Sequence, residues 1–281
     1  MIIWIASYPK SGNTWVRSFL SNYFCDDKKF DFTQLRKISK FPQEKILKEL
    51  NINFKDFKEI ASNWITMQDY INLKNEIVYL KTHNALITVN NFKFTDTKNT
   101  LGFIYLVRDP RDVVLSYASH LGISVENTFE VMRNDMGFSV SKKINDMGFS
   151  VSKKNEDYKE AILGSWALNY NSWKNFKSVN GLIIRYEDLV NNPEKSFTKI
   201  VNYLNKINNL KVDLDKIKRC INNTEFNTLK NLENLTGFDE KGKNNFFRSG
   251  KIGEWKKNLD HKIAQEIEKI FSKEMRELGY I

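Results

Sequence analysis

Tyr8-Pro9-Lys10-Ser11-Gly12-Asn13-Thr14-Trp15-Val16-Arg17 decides how this chain is read. The apolar run Ile2-Ile3-Trp4-Ile5-Ala6 precedes it, and Trp15, Val16, Phe19, Leu20 and Tyr23 follow at helical spacing. The segment predicts a strand, a tight glycine-containing loop and an amphipathic helix. Such a turn holds phosphate-like anions, because the N–H groups of a helix start point outward and the helix dipole favours negative charge there. Gly12 lets the backbone approach the anion closely. Lys10 adds a mobile positive charge at the mouth. The usual nucleotide-triphosphate loop, Gly-x-x-x-x-Gly-Lys-Ser/Thr, has its lysine at the helix start and a hydroxyl for magnesium. Here the lysine stands two residues before the glycine, on the strand side, and meets a ligand from another angle.

Working outward, 281 residues suit one large α/β domain or two small ones, and 41% hydrophobic content suffices for a core. The net charge of +10 comes from 44 basic and 34 acidic residues. It fits either a lysine-rich solvated surface with weak nucleic-acid affinity or a cleft for a highly anionic small ligand; composition does not separate them. Cys25 and Cys220 lie far apart with no metal spacing, as expected of buried thiols in a reducing cytoplasm. No basic region precedes the first apolar run, which leads straight into the loop and reads as a core strand and not a signal peptide. No stretch approaches the roughly 18 apolar residues that span a membrane.

Short apolar runs at Ile2–Ser7, Ile77–Lys81, Leu101–Val107 and Leu182–Arg185 predict strands. Helical patterns fall at about 14–24, 54–74, 110–121, 156–177, 193–206, 213–222 and 261–277. This alternation predicts a parallel sheet with helices on both faces, whose ligands bind at the C-terminal strand ends. The decapeptide Asn134–Lys143 recurs unchanged at Asn145–Lys154. Two copies are too few for a solenoid. They read as a tandem duplication in a surface loop, forming a flexible flap over 134–155 near the acceptor opening.

Four further motifs lie at or near strand ends. In Val107–Tyr117, Asp109 suits the N-cap, Pro110 the first helical position and Asp112 an acidic first turn. Arg108 is a planar fork suited to phosphate, and Ser116 offers a hydroxyl two turns into the helix. A strand-end Arg is more often an ordinary ion-pair partner. In Val78–His83, Lys81 and His83 share one face of an extended chain. In Ile183–Leu189, Tyr186 leaves a strand while Glu187 and Asp188 open a helical turn. Near the C-terminus, Phe247-Arg248-Ser249-Gly250-Lys251-Ile252-Gly253-Glu254-Trp255 combines a basic fork with glycines. Just upstream, Gly237–Asn244 almost matches the triphosphate loop, but it ends in Asn and no strand precedes it, so it is rejected as a nucleotide loop.

Taken together in this order, the motifs resemble those of the cytosolic-type sulfotransferases that use 3′-phosphoadenosine 5′-phosphosulfate (PAPS), in a bacterial-like form. The resemblance spans residues 2 to 256. It implies a P-loop-like three-layer α/β/α fold with a central, mostly parallel sheet, a single domain over 1–281, and PAPS as co-substrate with PAP as product, without a metal. It implies that Lys10, Ser11, Gly12, Asn13, Thr14 and Trp15 bind the 5′-phosphosulfate end. Arg108 and Ser116, with Arg248, Ser249 and Gly250, would take the 3′-phosphate. Tyr186, Thr224 and Phe226 would hold the adenine, with Trp15 on its other face; core packing serves Phe226 equally well. Lys10, Lys81, His83 and Ser116 would be catalytic, His83 as the base, its ordinary pKa near ~6.5 suiting that role. Ser249 stands where the family has Lys, and Glu254 where it has Asp. The expected acceptor is a small alcohol, phenol or amine; nucleic acid and membrane are not expected partners, and oligomeric state is open. A kinase-like nucleotide enzyme and, less favoured, a basic polyanion-binding protein are the alternatives.

Overall fold

The computed structural model describes residues 1–25, 29–53, 55–140 and 159–281. Five parallel strands form the main sheet in the order β2-β3-β1-β6-β9. They are β1 (Ile2–Ser7), β2 (Ile38–Lys40), β3 (Val78–Thr82), β6 (Thr100–Val107) and β9 (Asn180–Arg185). Two small antiparallel pairs accompany it: β4 (Thr88–Val89) with β5 (Phe92–Lys93), and β7 (Phe138–Val140) with β8 (Lys159–Ile162). All six residues of β1 are buried, as a central parallel strand covered on both faces requires.

Alternation along the strands sends side chains into two cores. Ile2, Trp4 and Ala6 of β1 join Phe103 and Tyr105 of β6 on one face. Over them pack α3 (Phe57–Ser62), α4 (Trp64–Asn72), α5 (Pro110–Leu121), α7 (Trp166–Lys174), α13 (His261–Ile270) and α14 (Ser272–Glu277). Ile3 and Ile5 join Ile104 and Leu106 on the other face, under α1 (Asn13–Phe24), α9 (Pro193–Asn208) and α10 (Leu214–Asn223). The Phe19 and Phe197 rings stack there at 4.1 Å between centroids. Burying one such ring contributes about 1.5–3 kcal/mol. The remaining helices are α2 (Glu44–Glu49), α6 (Val125–Arg133), α8 (Tyr186–Asn191), α11 (Phe226–Thr236) and α12 (Trp255–Asn258).

The three-layer α/β/α arrangement agrees with the sequence reading, and the four expected strands are present within three residues at each end. Three expected helices differ. The pattern at 54–74 yields α3 and α4, split at Asn63, because Ser62 and Asn63 both donate side-chain hydrogen bonds to the Glu59 carbonyl and compete with the helical ladder. The span 156–177 begins as strand β8, turns at Gly164 (φ 62°), and becomes helical only after Ser165, whose hydroxyl caps Leu168 N–H. The span 261–277 breaks at Phe271. Most of the duplicated segment, and with it the flap expected at 134–155, lies outside the described residues.

Because the five strands are parallel, their C-terminal ends share one edge of the sheet. The strand order reverses direction about β1: β2 and β3 lie on one side, β6 and β9 on the other. That switch point opens a crevice beside the β1–α1 loop.

Candidate active site

The loop leaves β1 at Ser7 and turns through two left-handed residues, Lys10 (φ 64°) and Gly12 (φ 96°). Gly12 is the N-cap of α1 and offers no side chain; no acidic residue occupies the first turn. The helix start at the crevice thus carries no acidic residue of its own. A methyl group at Gly12 would lie 2.7 Å from Cδ2 of Tyr186, so glycine is required by both φ and space. Asn13 braces the turn by donating from Nδ2 to the Ile5 carbonyl (3.0 Å) and Ser7 Oγ (3.2 Å). The buried Ser11 hydroxyl and Asn13 Oδ1 have no hydrogen-bond partner.

Cations gather around this turn. Nζ of Lys10 lies 3.5 Å from the centroid of the Phe246 ring. Burial, then repulsion from Arg108 and Lys81, lowers its pKa to about 7. Lys81, at the end of β3, donates to Glu240 Oε2 at 2.9 Å. Arg17 of α1 donates to Glu240 Oε1 at 2.6 Å and twice to the Ile38 carbonyl. Thr14 Oγ1 is 3.4 Å from Glu240 Oε2. Lys81 and Arg17 hold the Glu240 carboxyl well below the usual carboxylate range despite its burial.

Arg108 leaves the end of β6 and stays buried. Its guanidinium lies over the Tyr186 ring at 4.3 Å and donates to the carbonyls of Lys10 (3.4 Å) and Lys251 (2.9 Å). Nε has no partner. Asp112 is 3.9 Å from Nη2.

His83 follows β3. Its Nδ1 lies 2.8 Å from the Ser7 carbonyl oxygen, which only accepts, so Nδ1 carries the proton in the neutral ring and Nε2 is left as the basic nitrogen. Asn169 Nδ2 donates to the His83 carbonyl at 3.0 Å and fixes the backbone. The sequence expectation of an ordinary imidazole pKa fails in this state: burial, then repulsion from Lys81, lowers it to about 3.

The segment after α11 closes the crevice. In the sequence Asp112 reads only as an acidic first-turn residue. It accepts from the N–H groups of Gly253 (2.7 Å) and Trp255 (2.9 Å) and so anchors that segment. Tyr186 OH donates to the Gly250 carbonyl at 3.1 Å. Glu254 accepts from Arg248 (2.6 Å) and Ser249 (2.8 Å), which occupies the Arg248 fork. Phe226 packs against Gly250 and within the aromatic cluster of Phe30, Phe32 and Phe247. Trp15 faces Tyr186 edge-on at 6.1 Å. Thr224 is buried and donates its hydroxyl to the Cys220 carbonyl at 2.7 Å. Ser116 is half-buried on α5, one turn from Asp112 and one from His120.

Residues 2–279 match the family model described as the sulfotransferase domain. The chain belongs to the sulfotransferase domain family. It is a transferase of sulfuryl groups. Sulfotransferase 1B1 of Canis lupus familiaris is 28% identical over 290 residues, covering 96% of this chain and 82% of that protein. Flavonol 3-sulfotransferase of Flaveria bidentis is 23% identical, covering 99% and 83%. Among solved structures, mouse sulfotransferase SULT7A1 complexed with PAP superposes with a TM-score of 0.60 at 18% identity, covering 98% of this chain and 84% of that one. Retinol dehydratase in complex with androsterone and inactive cofactor PAP gives 0.58 at 17% identity, covering 98% and 80%.

The crevice of this sulfotransferase also holds residues that the motifs do not single out. Glu240 lies inside the near-match Gly237–Asn244, rejected for its glycine pattern and brought to the site by its carboxylate. The structure shows the link through Arg17, a buried arginine on a largely apolar helix that needs an acidic partner. His120 is the second omission. Its buried Nδ1 has no partner, and burial, then repulsion from Lys10 and Lys81, lowers its pKa to about 4. Among the described residues no group of His, Cys, Asp and Glu could hold a metal, and no helix is long and apolar enough to cross a membrane.

Proposed function

We propose that this sulfotransferase, acting as one catalytic domain over 1–281 in the cytoplasm, moves the sulfuryl group of PAPS to a hydroxyl or amine of a small molecule and releases PAP. One observation carries the donor reading: an uncapped helix start at Gly12–Asn13 ringed by Lys10, Lys81 and Arg108, with unpartnered polar atoms at Ser11 and Arg108. Two relatives of the same fold were solved with PAP, and one of them with androsterone, which supports a donor of this class and a small-molecule acceptor.

Sulfuryl transfer resembles phosphoryl transfer, with in-line attack, a loose transition state and little covalent work for the protein. Positioning and charge stabilisation carry the rate. Lys10 and the α1 N–H groups neutralise the leaving 5′-phosphate. Lys81 supports the transferring group. His83 Nε2 takes the acceptor proton, with the ring held by the Ser7 carbonyl. A pKa of about 3 makes a weak base. Glu240 already opposes the Lys81 ammonium in this state, so burial is the main cause that keeps the imidazole weakly basic. Ser116 acts beside Lys10 and the 3′-phosphate. Arg108, Arg248, Ser249 and Gly250 receive the 3′-phosphate, while Trp15, Tyr186, Thr224 and Phe226 enclose the base.

Calorimetric binding of PAP, compared with AMP and magnesium–ATP, tests this reading. Strong preference for PAP that is lost in Arg108→Ala is expected. Binding no better than AMP overturns the donor site, and preference for magnesium–ATP restores the kinase-like alternative.

A further inference from the structure

Glu240 belongs to no motif of the donor site, yet its carboxylate meets three side chains of α1 and β3 at once. Lys81 Nζ is 2.9 Å away, Thr14 Oγ1 3.4 Å, and Arg17 Nη1 2.6 Å. Thr14 is the second residue of α1, so the carboxylate stands at the positive end of the helix dipole. Its partners there are side chains, beside a helix start that carries no acid of its own. The same segment brings Phe246 over Lys10 at 3.5 Å. Both lysines of the cradle are therefore covered by residues 240–246, one by a carboxylate and one by the face of an aromatic ring.

The segment is fastened at two points beyond Glu240. Lys243 N–H donates to the His120 carbonyl (3.0 Å) and Asn244 Nδ2 to the Ser119 carbonyl (2.8 Å) at the end of α5. The N–H groups of Phe246 and Phe247 donate to the buried Glu233 carboxylate at 2.7 and 2.9 Å. Arg17 needs Glu240 less than Glu240 needs Arg17. Its Nε and Nη2 bond the Ile38 carbonyl, and only Nη1 bonds the carboxylate.

We propose that Glu240 is a resident anion of the donor site, a carboxylate that occupies the phosphosulfate cradle and must be displaced before the donor seats. This rests on the donor reading above. Glu240 sets donor affinity by competition. It also returns to Lys81 as product leaves, which favours release. Its charge opposes only the 5′ end of the nucleotide; the 3′-phosphate subsite at Arg108 and Arg248 lies with other residues.

The test is calorimetric titration of the full chain and of Glu240→Gln with PAP and with adenosine 3′-phosphate. Removing a like charge that faces a phosphate is expected to tighten PAP binding roughly 10- to 100-fold. Adenosine 3′-phosphate, lacking the 5′-phosphate, should bind both proteins alike. Glu240→Asp, with a shorter reach, should fall between; it keeps the test open if the Gln variant does not fold. PAP binding that is unchanged or weaker in a folded Glu240→Gln makes Glu240 a positioning residue for Lys81 and overturns the proposal. Equal tightening for both nucleotides overturns it too. Failure of the unaltered chain to prefer PAP over AMP overturns the donor reading itself, and the proposal with it.

Discussion

Lys10 gives the sharpest test of the donor site because its charge state depends on what occupies that site. Burial, then Arg108 and Lys81, hold its pKa at about 7. At about pH 7.5 roughly a quarter of the free enzyme therefore carries the ammonium. A dianionic phosphate within ion-pair distance reverses the balance and drives the pKa well above the assay pH. Binding of PAP near pH 7.5 should then take up about three quarters of a proton, and about 0.9 near pH 8. The phosphates contribute little, since their second pKa is near ~6 and they are already dianionic. The uptake is read from calorimetric enthalpies in buffers of different ionisation enthalpy. In Lys10→Met it should vanish while weaker PAP binding persists. An uptake below about 0.2, or one that survives in Lys10→Met, refutes the reasoning; the surviving uptake would belong to His83 or His120, whose pKa values of about 4 or lower leave them neutral here.

Asp112→Asn leaves one of the Gly253 and Trp255 N–H groups without its acceptor; urea unfolding should show a loss of about 2 kcal/mol, and PAP affinity should fall with it. Gly12→Ala forces a methyl against Tyr186 at φ 96°, so thermal unfolding should report a loss of about 1–3 kcal/mol. His83 binds protons more weakly folded (pKa about 3) than unfolded (near 6.5), so its contribution is intact above about pH 6.5 and is lost as pH falls toward 3. Between pH 7 and 5 the folded state should lose roughly 2 kcal/mol more than His83→Asn does, by denaturant titration at each pH. His83→Ala should retain PAP binding but lose most turnover with PAPS and a surrogate phenol; full turnover removes it as the base.

What the sequence made legible follows from how local each signal is. β1, β6 and α5 declare themselves because apolar runs, Asp109 and Pro110 act within a few residues of where they stand. Three-residue β2 is too short to carry a period, and its place is set by pairing with β3. α4 and α7 were overrun because the breaks come from side-chain bonds of Ser62, Asn63 and Ser165, which compete with the backbone without changing the apolar rhythm. Lys10, Lys81, His83 and Arg108 stand out as candidates because each lies within three residues of a strand end, and parallel strands deliver their ends to one edge. Glu240, Asp112 and His120 were not, because their roles arise from contacts across more than a hundred residues.

The surplus of positive charge acquires meaning only through burial. Lys10, Arg17, Lys81 and Arg108 converge on the crevice, faced by the carboxylates of Glu240 and Asp112. Stability alone gives no reason to desolvate Lys10 beside Arg108 and Lys81: burial and repulsion cost the folded state, as the depressed pKa records. Surface lysines contribute solubility at no such cost. A fold that holds an ammonium where it half loses its proton, next to a helix start without a cap, is therefore strained toward an anion that is not part of the chain. Glu240 relieves part of that strain at Lys81 and Arg17 but does not reach ion-pair distance of Lys10. The remaining imbalance is what a phosphosulfate, with charge distributed over both lysines, removes more completely than one carboxylate does. That difference is the driving force by which a donor displaces Glu240.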